Sequence, residues 1–520
     1  MMALVDTWGM ALVPLMFVGG ALFMLVMPGV DRLSLRHVGM TVSILAALVS
    51  LRLAWLASEA PRALAPFGIQ LRLDAINGPM VVMACVSIPI ALRAGAPRVF
   101  ARTQFYVVTV LFCGGLGTTA LLVAAPIVKL VIATLAAVPL FALVSLFGGP
   151  QRGSSTMKAA VLWLLVDAAA MAVAVLLAAR AQVSVSAASV DDLATGAAVQ
   201  PPEQAAILFL ALAAPGLVRL AAGPFSVWLS DFFEQAPVSA AIIAGATAMP
   251  LGLELLARVA LPAVPQGALA LLPAILVVGL LALAVSAVLA LAERELRRLL
   301  AQLLHLAGAA AALAVITLGG GAIAAAVGLV LASAGSAMLA LCTVEAIERR
   351  YETRDCVELI GLGHQTPLLA AFLAAGLFGL GGIPLIGAGT AVWLLAGELG
   401  HGPAFAAAAL PASWQLVLEV VVVAACALAS IGVATAMRRL LLPAVRHGHR
   451  DLERVTTAQA LRLLVPAVVA LAVGLGAPVV VQDARPIAEQ LARTAAARAA
   501  LRPPPDVPFD VDGADDEVQP

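Results

Sequence analysis

This sequence predicts an all-α polytopic membrane protein. Three observations predict it. The 520 residues are 62% hydrophobic and only 12% charged, with a mean hydropathy of +1.05. Apolar runs near the length needed to cross a bilayer as a helix recur along the whole chain. The charged loops between them alternate in character. Lys plus Arg and Asp plus Glu both number 30, so the chain is formally neutral, which excludes a nucleic-acid partner.

Hydropathy marks about 14 spans, centred near residues 18, 48, 87, 114, 137, 170, 213, 247, 279, 308, 332, 380, 425 and 470. The first, Ala11 to Met27, lacks a basic leader and a small-residue cleavage pattern and reads as a retained helix. Loops after odd-numbered spans carry the cations: "DRLSLRH", "RAGAPRVFARTQ", "GGPQRGSSTMK", "ERELRR", "ERRYETRD" and "MRRLLLPAVRHGHRDLER". Loops after even spans carry few, and "VSVSAASVDDLATGAAVQPPEQ" has none. By the positive-inside rule the odd-span loops are cytoplasmic, which places both termini outside.

Spans 7 and 12 are interrupted. Pro215 and then Gly223-Pro224 break the first, and Gly381, Gly382 and Pro384 break the second. Proline removes a backbone donor and clashes with the preceding turn. In lipid the freed carbonyls need partners, so such breaks face protein or a water-filled cavity. Broken helices at corresponding places in two halves mark inverted repeats. The five-span offset predicts two inverted five-helix repeats. The organisation is then 1–100 for spans 1–3, 101–260 for the first repeat (spans 4–8), 261–440 for the second (spans 9–13), and 441–483 for span 14. Residues 484–520 hold an extramembrane helix, "ARPIAEQLARTAAARAALR", and a disordered acidic tail rich in proline.

Candidate site residues follow from the cost of charge in a membrane. Arg219 lies near mid-membrane in span 7, where an unpaired arginine costs about 3 kcal/mol or more. Asp167 (span 6) and Glu254 (span 8) are the carboxylates on neighbouring spans, and either is a suitable partner. Lys129 stands near the start of span 5 and reads as snorkelling to the outer interface, or as a lysine in an ion path. His305 in span 10 reads as a hydrogen-bonded interior histidine or as a proton relay. The cysteines (Cys85, Cys113, Cys342, Cys356 and Cys426) have no metal-ligand spacing and read as small core residues. "GGGAIAAAVG" offers small residues for close helix packing rather than a phosphate loop. No metal, cofactor or catalytic constellation is expected, and no redox chemistry in this chain.

The stretch "PFSVWLSDFFEQAP" resembles the PFHxWLPDAxxxAPT signature of the antiporter-like subunits of respiratory complex I and of Mrp-type sodium/proton antiporters. Other segments are similar in the same order: "FGIQLRLDAINGPMVVM", "VPLFALVSLFGGPQR", "ERELRRLLAQLL", "YETRDCVELIGLGHQTPLLAA" and "GLGGIPLIGAG". Together they cover most of residues 65 to 395, and the M-type and N-type pump subunits are the most similar. The resemblance implies a membrane subunit among other membrane subunits of a respiratory or hydrogenase assembly, in a bacterial inner membrane with periplasmic termini. The alternative it implies is the membrane component of a cation/proton antiporter or of an energy-coupled inorganic-carbon uptake system. Gene neighbours separate these readings.

The resemblance also implies a charged axis halfway through the membrane. In the family it comprises a glutamate on the fifth helix, a lysine on the broken seventh, a lysine or histidine on the eighth, and a lysine or glutamate on the broken twelfth. Counting from Pro139, Pro224, Pro237 and Pro384, those positions are Thr134, Arg219, Pro250 and Val392 here. All four differ, and the chain has only two lysines, Lys129 and Lys158. The expectation is therefore a divergent subunit: a weak proton conductor or a scaffold. Asp231 and Glu234, in the turn after the first break, are expected to brace it.

Overall fold

The computed structural model describes residues 2–26, 32–95, 102–198, 202–383, 387–399, 401–411, 413–442 and 457–500. Pro384 and the acidic tail fall outside the described residues. Six helices open the chain: α1 (Met2–Val26), α2 (Arg32–Glu59), α3 (Asn77–Gly95), α4 (Thr103–Leu122), α5 (Pro126–Phe147) and α6 (Arg152–Arg180). A small antiparallel hairpin of β1 (Arg62–Leu64) and β2 (Leu71–Leu73) joins α2 to α3, with Arg62 opposite Leu73. The acidic loop folds into α7 (Val190–Ala198). Ser189 caps it: its amide and hydroxyl both bond Asp192, which holds that carboxyl below its ordinary range.

Beyond it come α8 (Pro202–Arg219), α9 (Leu229–Gln235), α10 (Val238–Ala263), α11 (Pro265–Ala292), α12 (Leu296–Ile316) and α13 (Gly320–Tyr351). The chain continues as α14 (Pro367–Leu380), α15 (Ala388–Leu399), α16 (Ser413–Leu441) and α17 (Thr457–Ala500). Among the described residues, 13 helices are long and apolar enough to cross a membrane, and α14 is a shorter apolar one. The chain is a multi-pass, all-α membrane protein.

Burial sorts the helices. The apolar stretches of α10, α12 and α13 are buried along their whole length. Around them, α2, α6, α11 and α17 turn large side chains outward, among them Leu48, Leu165, Leu281 and Leu471. In lipid such faces carry no penalty. All five cysteines are buried and free.

The first break lies four residues later than Pro215. Helix α8 runs through Pro215 and stops at Arg219. Ala222 N–H bonds the Leu217 carbonyl and Ala221 N–H bonds that of Val218, a paired closure of the last turn. Its left-handed position is taken by Ala221 (φ 53°) rather than glycine, and Gly223 (φ 60°) turns the chain again before a 3₁₀ turn over Gly223–Ser226. An alanine there costs roughly 1–2 kcal/mol, so surrounding contacts must hold the break. One is α12. A Cβ on Gly308 would sit 1.8 Å from the Leu220 carbonyl oxygen. Gly308→Ala should therefore destabilise the chain by about 1–3 kcal/mol, seen as a lower unfolding temperature in detergent. An unchanged temperature would show that α12 does not clamp the break.

At the second break α14 ends at Leu380, and the chain turns at Gly382 (φ 83°) and Gly387 (φ 53°) before α15. Ser430 on α16 donates to the Gly381 carbonyl at 2.6 Å. This is the partner that a freed carbonyl in lipid requires.

The C-terminal region differs from expectation. Residues 484–500 do not form a separate helix. They continue α17, unbroken through Pro466, Pro478 and Pro486. The reason is a buried small-residue stripe, Ala477, Ala484 and Ala488 where α17 runs along α13, continued by Ala492 and Ala495 beyond it; close packing there offsets the donors the prolines remove. At 44 residues, α17 is about 66 Å long. That is about twice the hydrocarbon thickness.

Candidate functional site

Five of the buried charges, Asp74, Lys129, Asp167, Arg219 and Glu254, precede residue 260, and Arg297 and Glu345 lie beyond it. Arg219, the last residue of α8, is wholly buried. It meets Asp167 of α6 as a two-pronged pair, Nη1 to Oδ1 at 2.7 Å and Nη2 to Oδ2 at 2.7 Å. Planar guanidinium and carboxylate match in this geometry, which adds direction as well as attraction. Nη1 also donates to the Pro215 carbonyl at 3.2 Å. Trp163 lies one turn before Asp167, with its ring 4.8 Å from the guanidinium carbon.

An edge-to-face aromatic series runs from Phe141 through Trp163 and Trp228 to Phe232, with ring centres 5.2–5.4 Å apart. Trp228 Nε1 donates to the Val218 carbonyl at 2.9 Å, tying the segment after the break to the helix before it. A cavity of about 20 Å³ lies among Arg219, Trp163 and Thr247. That is the volume of one water. Each of those three residues has a buried polar atom without a protein partner: Arg219 Nε, Trp163 Nε1 and Thr247 Oγ1.

Thr134 of α5 joins the pair, its hydroxyl 3.0 Å from Asp167 Oδ2 and 2.9 Å from the Leu130 carbonyl. The position that the resemblance aligned with a glutamate thus touches a carboxylate supplied by the next helix.

Glu254 has a different partner. Lys129 Nζ lies 2.7 Å from Glu254 Oε1, both side chains buried. Lys129 does not snorkel outward. A carboxylate on α10 faces it at its own depth and makes the inward rotamer favourable. Arg258, one turn beyond Glu254, lies 3.9 Å from Oε1 and bonds both oxygens of Asp74 at 2.6 and 2.7 Å. Asp74 also accepts from the Ile76 and Asn77 amides, capping α3. Burial alone would raise the Asp74 pKa. The guanidiniums of Arg258 and Arg72 and the Ile76 amide outweigh it and hold the carboxyl below its ordinary value.

The result is a continuous series Asp74–Arg258–Glu254–Lys129, buried apart from the slightly exposed Arg258. Sequence reasoning missed Asp74 and Arg258. The available signals were the "LDAIN" stretch and an acid–base pair four residues apart on one helix.

Pro250 stands in α10 between two π-helical turns, Ala244–Ala248 and Leu256–Ala260. Such turns absorb a missing donor without ending the helix. Val392 is buried in α15. His305 in α12 is buried, and its Nε2 has no hydrogen-bond partner within the protein. Among the described residues, His305 is the one buried titratable side chain, cysteines aside, in the middle of the helices from α11 to α16.

At the end of the bundle where α9 lies, ion pairs hold the segment after the break. Lys158 binds Asp231 at 2.7 Å and Arg298 binds Glu234 at 2.6 Å. Arg297 reaches the Ala236 carbonyl, Glu345 and Glu348. Asp231 and Glu234 therefore brace α9 through side-chain pairs.

Residues 127–413, more than half of the chain, match the family model described as NADH:quinone oxidoreductase/Mrp antiporter, transmembrane. The chain belongs to this family. No curated protein sequence matches it. Three solved structures share its fold. A chain of respiratory complex I from Thermus thermophilus with bound NADH is 18% identical with a TM-score of 0.80, over 94% of this chain and 99% of that one. A chain of the membrane-bound sulfane sulfur reductase, an archaeal respiratory membrane complex, is 16% identical with a TM-score of 0.79 over the same shares. A chain of the Mrp complex from Dietzia sp. DQ12-45-1b is 18% identical with a TM-score of 0.77, again over 94% and 99%. The likeness covers nearly all of this chain and of each of those chains, and at this identity it is a likeness of fold.

Proposed function

We propose that this chain is a membrane subunit of a multi-subunit respiratory or related assembly, in which it serves as a braced scaffold and at most a weak proton conductor. Its place is a bacterial inner membrane with the cation-rich loops in the cytoplasm. Helices α4 to α10 and α11 to α16 form its two repeats. The observation that carries the reading is the two-pronged Arg219–Asp167 pair at the first break. An axis that moves protons must change charge at each station. An arginine keeps its proton, and this one is held on both prongs and stacked on Trp163. In the second half the buried ion pair among the described residues is Arg297–Glu345, near the ends of α12 and α13 on the side where α9 lies.

A second reading is favoured by Lys129–Glu254. That pair has a lysine, which can switch, and Glu254 Oε2 is buried without a partner. It supports conduction by a changed route, as in a cation/proton antiporter or an inorganic-carbon uptake system. Affinity purification of the tagged chain from its host, followed by proton flux in proteoliposomes, separates the two. The scaffold reading expects Asp167→Asn to reduce the partner proteins that co-purify while leaving flux per assembled complex unchanged. Flux lost in Lys129→Leu, in a complex that still assembles fully, would favour the second reading.

A further inference from the structure

A groove of about 770 Å³ opens between α2, α3, α13 and α17, away from the Arg219 site. Its chemistry is split along its length. One end holds Arg93, Arg349, Arg350 and Arg462, with a single acid, Glu345. Glu345 is already committed to Arg297 at 2.9 Å and Arg349 at 3.0 Å. Arg93, Arg350 and Arg462 make no ion pair among the described residues, and Arg350 Nε is buried without a partner. The rest of the groove is apolar, from Met40 through Leu48 to Leu51 on α2 and along Val86 and Ile90 on α3. Leu48 and Leu51 are each 59% exposed.

The depth of the groove identifies its occupant. Gly78 packs on Ala54, which fixes the antiparallel register of α2 and α3 and sets Met40 level with the Arg93 end. From Met40 to Leu51 the wall runs about 16 Å at 1.5 Å per residue. The hydrocarbon of one leaflet is about 15 Å thick, half of the bilayer core. A partner's transmembrane helix would need an apolar wall across both leaflets and no cluster of unpaired cations. An acyl chain with a phosphate at its head needs one leaflet and those cations.

We propose that this groove is a binding site for an anionic phospholipid, with the headgroup phosphate held by Arg93, Arg350 and Arg462 and an acyl chain lying along α2 and α3. The lipid fills the gap between the first three helices and α17 and so links the N-terminal and C-terminal ends of the bundle.

The test is native mass spectrometry of the full chain, delipidated in detergent and titrated with dioleoyl phosphatidylglycerol or dioleoyl phosphatidylcholine. One phosphatidylglycerol per chain should bind well below the concentration that phosphatidylcholine requires. Each arginine near the headgroup contributes about fivefold, so Arg93→Gln, Arg350→Gln and Arg462→Gln together should remove roughly a hundredfold of that preference. If the triple variant does not fold, Arg462→Gln alone should remove about fivefold. Leu48→Trp, which fills the apolar wall and keeps every arginine, should weaken both lipids. Equal binding of the two lipids by the wild type would overturn the proposal. So would a preference unchanged in a folded arginine variant, or displacement of the lipid by millimolar inorganic phosphate.

Discussion

Asp167→Leu should destabilise the chain by about 3–5 kcal/mol, the cost of stranding one member of a buried pair. Arg219 would keep only the Pro215 carbonyl and the Trp163 ring. It has no route to neutrality, because arginine does not release its proton in proteins. Adding Arg219→Leu should restore most of the loss. Two apolar residues of similar volume remove the desolvation cost of both charges, and such replacements are commonly neutral or stabilising by about 1–4 kcal/mol. Chemical unfolding in detergent reads the series. The account expects a large deficit in Asp167→Leu, a smaller one in Arg219→Leu, where Thr134 still bonds the carboxyl, and near recovery in the double variant. A double variant as unstable as Asp167→Leu would mean that a stranded Arg219 is not the cause of the deficit.

Lys129→Leu should cost less, about 2–3 kcal/mol, below the range for a fully stranded charge. Glu254 would retain Arg258 at 3.9 Å, and Arg258 would retain Asp74. The series Asp74–Arg258–Glu254–Lys129 thus tolerates loss of its terminal member. Loss of Arg258 is different, because it joins Glu254 to Asp74 and leaves both carboxylates without it. Arg258→Leu should therefore exceed Lys129→Leu in the same unfolding measurement. The reverse order would show that Lys129 rather than Arg258 is the member on which the series depends.

Much of this architecture is readable in the residues. The spans follow from composition, and both interruptions follow from glycine and proline in apolar runs. The charge at Arg219 is conspicuous because so few charges lie in the spans. What was not readable depends on packing between distant segments. Arg219 and Asp167 are 52 residues apart and Lys129 and Glu254 are 125 apart. Both α6 and α10 pack against α8, so choosing between the two carboxylates required knowing which of them turns its acid toward Arg219. A lysine three residues into a span reads as snorkelling until a carboxylate is found opposite it. Pro215 looked like part of the break, yet the helix passes through it and ends at Arg219, two residues before a left-handed Ala221 that only surrounding contacts favour. The unbroken α17 was hidden for the same reason. Its prolines argue for interruption, and only the alanine face packed on α13 shows what sustains it.

The direct test of the central claim, that Arg219 and Asp167 form a static pair and carry no proton, is proton flux through the assembled complex in proteoliposomes with a pH-sensitive dye. Wild type is compared with the Arg219→Leu, Asp167→Leu double variant, normalised to intact complex. The account predicts equal flux in the two, at whatever level the wild-type complex sustains. Flux abolished in a double variant that assembles fully and unfolds like the wild type would contradict it and return Arg219 to an ion path.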